Sequence, residues 1–116
     1  MKSRFKQTSK IINDEVNHVL KEIDEQQIDL FMDDVLSKNR IFIAGVGRTG
    51  LMMKSFSMRL MHLGLKVFYI GETITPSVNH NDLLIVGSGS GETLSLVSIT
   101  EKAKKLGVKM VLFTID

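Results

Sequence analysis

The 116-residue chain contains no cysteine, which excludes a disulfide framework, a thiolate nucleophile and a Cys-ligated metal. It also lacks any block of like charges. Lys, Arg, Asp and Glu are interspersed and the formal net charge is +2, so there is little electrostatic basis for binding nucleic acid or a membrane surface. No apolar run approaches the ~20 residues that a membrane span needs, and the opening MKSRFKQTSK has no apolar core of a signal peptide. We therefore expect a soluble, cytoplasmic chain with no nucleic-acid and no membrane partner. The three histidines, His18, His62 and His80, are scattered without metal-ligand spacing, so no metal site is expected. His18 reads as a solvent-facing helix residue and His80 as a loop residue. His62, in MRLMHLG, reads equally well as a packing or helix-capping residue and as a functional one.

The length suits one domain, 1–116, with leading helices over 1–38 and a sheet over 39–116. From Phe5 to Ile23 the residues Ile12, Val16, Val19, Leu20 and Ile23 recur at helical spacing and predict an amphipathic helix. Asp24 followed by Gln27 resembles a capping box, and Ile28, Phe31, Met32 and Val35 line one face of a second helix that closes at Ser37–Asn39. RIFIAG, VFYIG, DLLIVG and KMVLFTI are short apolar runs that read as buried strands. Between them, Leu51–Leu63 reads as a helix with Met53, Phe56, Leu60 and Leu63 inward and Gly64 as its C-terminal cap. Thr93–Lys105 reads as another, ending before Gly107. Strands alternating with helices imply a mostly parallel sheet covered on both faces, an α/β fold. Because the chain stops after KMVLFTI, we expect an apolar strand edge and a fold cut short after its fourth strand.

Two strand-to-helix junctions carry unusual chemistry. GVGRTG, Gly45–Gly50, satisfies the G-x-G-x-x-G spacing between a strand and a helix, where bare glycine lets backbone amides approach an anion. With Glu72 downstream as a possible ribose carboxylate, a dinucleotide-binding oxidoreductase is one reading. SGSGET, Ser88–Thr93, follows DLLIVG and offers three hydroxyls with helix-start amides, which suits a phosphate monoester better than a dinucleotide. Each loop alone could be a tight turn and helix cap. Neither carries the Lys of a P-loop, and neither serine of SGSGET lies in G-x-S-x-G, so triphosphate hydrolysis and a nucleophile elbow are unsupported.

With RIFIAGVGRTG, MRLMHLG, GETITP, DLLIVGSGSGET and KAKKLG in place, the chain resembles the sugar isomerase (SIS) domain, and within it the 6-phospho-3-hexuloisomerase family. The resemblance implies a three-layer α/β/α sandwich with a parallel sheet in flavodoxin-like order, assembled as a homotetramer. It implies an isomerase acting between 3-hexulose 6-phosphate and fructose 6-phosphate in formaldehyde fixation, with a sugar-phosphate partner and no cofactor. Ser88, Ser90 and Thr93 are similar to the family's phosphate cradle. Gly47, Arg48, Thr49, Glu72 and Glu92 fall at substrate-facing positions, and His62 matches a histidine proposed for proton transfer. Thr49 stands where the family often has serine. The family's usual glutamate base lies in a later part that nothing here matches, so residues 1–116 alone are expected to bind substrate with little turnover.

Moving a carbonyl from C3 to C2 requires a base that takes a proton from one carbon and returns it to the other through an enediol. Donors such as Arg48 or loop amides would stabilise the enediolate oxygen, and the phosphate would serve as an anchor. A non-catalytic sugar-phosphate sensor could use the same cradle.

Overall fold

The computed structural model describes residues 3–89 and 94–114. The chain divides into two compact units, Met1–Asp33 and Asp34–Asp116. In the first, α1 spans Arg4–Glu22, opened by the Ser3 hydroxyl accepting the Phe5 N–H; none of its residues is buried. α2 spans Glu25–Ser37 and crosses into the second unit. Its N-terminus is capped by Asp24, whose Oδ1 accepts the Gln26 N–H at 2.9 Å. Of the four residues expected to line one α2 face, Val35 alone is buried.

The second unit contains β1 (Ile41–Gly45), α3 (Gly47–His62), β2 (Val67–Tyr69), β3 (Leu83–Ser88), α4 (Leu94–Lys105) and β4 (Lys109–Thr114). All pairs are parallel and the order is β2-β1-β3-β4, the order in which a flavodoxin-like sheet begins. Ile41 to Ala44 and Leu83 to Val86 are buried on both faces, as central parallel strands must be. On one face Phe42, Ala44, Leu84 and Val86 pack with Leu96, Ala103 and Val108 of the α4 region. On the other, α3 lies across Gly45 and Gly87 through Met53. Helix, sheet and helix form the three expected layers.

Both crossover helices stop on the same device. At α3 the Gly64 N–H bonds Met61 O and the Leu65 N–H bonds Leu60 O; at α4 Gly107 and Val108 repeat this with Lys104 and Ala103. Gly64 (φ 91°) and Gly107 (φ 73°) occupy the left-handed region that this terminal motif needs. Leu63, expected inward, is instead 77% exposed. It is the C-cap residue of α3, and the terminal turn carries its side chain off the packed stripe. β4 is one edge of the described sheet, with β2 at the other, and Leu112 on it is 56% exposed.

Candidate functional site

β1 and β3 are neighbours, but their helices leave toward opposite faces, so the crevice beyond their carboxyl ends is a topological switch point where α/β sheets bind ligands. The register pairs Gly45 with Gly87. The turn GVGRTG and the Ser88–Gly89 start of SGSGET therefore leave the sheet side by side, at the same level. Ser88 ends β3 and is 3% exposed. Ser90, Glu92 and Thr93 lie outside the described residues.

The glycines of the first loop have distinct physical tasks. A Cβ on Gly45 would stand 3.0 Å from the Gly50 Cα, and one on Gly50 would stand 3.0 Å from the Gly45 carbonyl. Strand and helix backbones thus touch at this pair, which only glycine permits. Gly47 (φ 60°) makes the turn itself. Helix α3 begins there, four residues before the apolar stripe starts. Its N-cap Val46 is extended and supplies no side-chain cap, which leaves first-turn N–H groups and the helix dipole directed at the crevice. Arg48 is exposed on that turn. Thr49 is half-buried, and its methyl carbon lies 3.1 Å from where a Gly87 Cβ would be; the extra carbon relative to serine is used in packing.

Of the other expected site residues, Glu72 and His62 are described. Glu72 is exposed in the connection after β2. It lines a cavity of about 430 Å³ between that connection and α4, with Thr75, Val78, Leu84, Ile99 and Lys102 among its walls. None of Gly47, Arg48, Thr49, His62 or Ser88 lines it. His62 is exposed at the last position of α3, about 22 Å from Gly47 at ~1.5 Å of rise per residue. One copy of the chain therefore gathers the two loops but not His62. His80 is exposed, and His18 pairs with Glu22 on the surface at 3.2 Å. Among the described residues no cluster of His, Asp or Glu is arranged to hold a metal, and no helix is long and apolar enough to cross a membrane.

Sequence reading passed over two residues that shape the site. Gly87 lies where a Cβ would come within 2.6 Å of Met53 Cγ and Sδ; glycine inside an otherwise branched apolar strand was the available signal of close approach. Tyr69, the chain's single tyrosine, donates its hydroxyl to Gly45 O at 2.9 Å, with Gly50 O at 3.3 Å. Burial, and secondarily the Glu72 charge, push its phenol above the ordinary value. No local pattern marks such a contact, because it joins residues 24 positions apart.

These features coincide with a known family. The SIS domain model matches residues 35–116, and the chain belongs to the SIS domain family. It is 48% identical over 94 residues to a 3-hexulose-6-phosphate isomerase of Bacillus subtilis (strain 168), covering 81% of this chain and 51% of the relative. Among solved structures, a hypothetical protein at 38% identity superposes with a TM-score of 0.88, covering 97% of this chain and 60% of the other. A hypothetical protein from Methanococcus jannaschii, whose structure was taken to infer a molecular function of 3-hexulose-6-phosphate isomerase, superposes with a TM-score of 0.78. It is 41% identical, with 79% of this chain and 52% of that one covered. The chain spans about half the length of the curated relatives it matches.

Proposed function

We propose that this chain is the sugar-phosphate-binding part of an isomerase interconverting 3-hexulose 6-phosphate and fructose 6-phosphate. The observation that carries the reading is the Gly45–Gly87 register, which sets the turn after β1 beside the start of SGSGET at the switch point. The names of relatives such as the Bacillus subtilis protein supply the substrate class. Ser88, Ser90 and Thr93 hold the phosphate with the α4-start amides. Gly47, Arg48 and Thr49 face the sugar from the α3 side, and Glu72 and Glu92 border the site.

A base removes the C2 proton of 3-hexulose 6-phosphate, the 2,3-enediol forms, and a proton returned to C3 leaves the carbonyl at C2. Arg48 and the uncapped α3 amides are suited to the negative oxygen that develops between these steps. His62, four helical turns away, serves the proton transfer only if a second copy of the chain delivers it, which fits assembly as a homo-oligomer. Phosphate binding contributes orientation and no chemistry.

The test is a calorimetric titration of the chain with fructose 6-phosphate and, in parallel, with fructose. Saturable binding of the phosphate ester and none of the free sugar is expected. Proton NMR of fructose 6-phosphate incubated in deuterated water with the complete isomerase then reports loss of the C3 proton. Equal affinity for both sugars would remove the phosphate cradle, and retention of the C3 proton would remove the enediol.

A further inference from the structure

Tyr69 makes four hydrogen-bonding contacts that divide between two segments. Its hydroxyl reaches Gly45 O and Gly50 O at 2.9 and 3.3 Å, one carbonyl on each side of the GVGRTG turn. Its own carbonyl accepts the Thr75 hydroxyl at 2.9 Å and the Glu72 N–H at 3.3 Å, both from GETITP. A single residue at the end of β2 thus joins the α3 turn to the segment that carries Glu72. The Lys54 ammonium, 5.2 Å from the ring centroid, holds the outer face of the ring.

The turn needs such an external hold. Val46 offers no side-chain cap, Gly47 has no Cβ to restrict it, and the Gly45–Gly50 contact constrains separation but not rotation. A hydroxyl proton shared by the two flanking carbonyls fixes how the strand end and the first helical turn are oriented. Donors that must meet a substrate oxygen need that orientation set in advance. From these contacts we infer that Tyr69 is a positioning residue, whose hydroxyl orients the α3 first-turn amides and Arg48 while its carbonyl anchors the Glu72–Thr75 turn. The inference rests on the sugar-phosphate reading of the same loops. Phenylalanine at this position would keep the ring's packing and lose the hold.

The test compares wild type with Tyr69→Phe by amide hydrogen exchange and by fructose 6-phosphate titration of the 116-residue chain. The Gly50 amide, which bonds Val46 O, is expected to exchange about 10-fold faster, with Ile85 and its core neighbours unchanged, and the dissociation constant to rise about 5- to 10-fold. Thr75→Val, which removes the second link, should speed exchange at 72–75 and leave the Tyr69 hydroxyl bonds in place. Because the chain has one tyrosine, its ring Cζ resonance is a direct reporter in wild type, and it should move on adding fructose 6-phosphate. Uniformly faster exchange, or unfolding of the Phe variant with a Cζ resonance indifferent to ligand, would make Tyr69 merely structural. Unchanged affinity in a variant of a wild type that binds would overturn the positioning role. A wild type that fails to bind would sink the sugar-phosphate reading instead, while loop-restricted exchange still showed the hold on the turn.

Discussion

Arg40 clasps the fully buried Asp82 carboxylate with two donors, Nε to Oδ1 at 3.0 Å and a terminal nitrogen to Oδ2 at 2.7 Å. The same guanidinium donates to Ser77 O at 3.0 Å and lies over the rings of Phe42 and Phe68. Asp82 also accepts the Asn79 N–H at 2.8 Å. The pair thereby pins the long β2–β3 connection to the start of β1. Arg40→Met would strand a buried carboxylate, and we expect a loss of about 3–5 kcal/mol in urea unfolding that added salt barely changes. A loss below about 1 kcal/mol would mean the connection is held by other contacts.

Gly87→Ala tests the close approach of α3 to the sheet. The added methyl would meet Met53 Cγ and Sδ at 2.6 Å and the Thr49 methyl at 3.1 Å, so α3 must lift or Met53 must repack, at about 1–3 kcal/mol. In a Met53→Ala background the same change should cost distinctly less. A double-mutant cycle by denaturant unfolding measures the coupling, and strict additivity would show that Met53 is not the obstacle.

The proposed phosphate cradle is best tested at Ser90 and Thr93, because Ser88 is 3% exposed and its loss would mix stability with binding. Ser90→Ala with Thr93→Val should weaken fructose 6-phosphate binding by at least about 10-fold while the thermal midpoint holds, given ~1.5 to 3 kcal/mol for each charge-assisted bond. Calorimetry on the double variant decides this. An unaltered affinity would move the phosphate elsewhere.

Tyr69 should titrate above the ordinary tyrosine value of about 10, because burial and then the Glu72 charge favour its neutral form. The folded state therefore holds the proton more tightly than the unfolded chain. Tyr69's contribution is fully present below about pH 10 and is lost as pH rises through the folded value. Stability followed by urea unfolding should fall in alkaline solution, and fall less in Tyr69→Phe. A phenol titrating at or below 10 by ultraviolet absorbance would refute the assignment.

Much of this molecule could be read from local pattern. The runs RIFIAG, VFYIG, DLLIVG and KMVLFTI gave strands because branched apolar residues bounded by glycine have few other uses in a chain this short. Gly64 and Gly107 marked helix ends because the terminal motif needs a left-handed residue. The turn after β1 was legible for a similar reason: glycines at a strand end are a local signal.

Tertiary structure alone decided which of these pieces meet. The Gly45–Gly87 register, and hence the adjacency of the loops, follows from strand order, to which no single segment is sensitive. The start of α3 at Gly47 and the outward turn of Leu63 depend on contact with the sheet and on chain direction after the cap. Arg40 with Asp82, Tyr69 with Gly45, and the separation of His62 from the loops join or divide positions 15 to 42 residues apart. Periodicity reports which side of an element is apolar, but long-range hydrogen bonds and close backbone approaches exist only once the elements have packed.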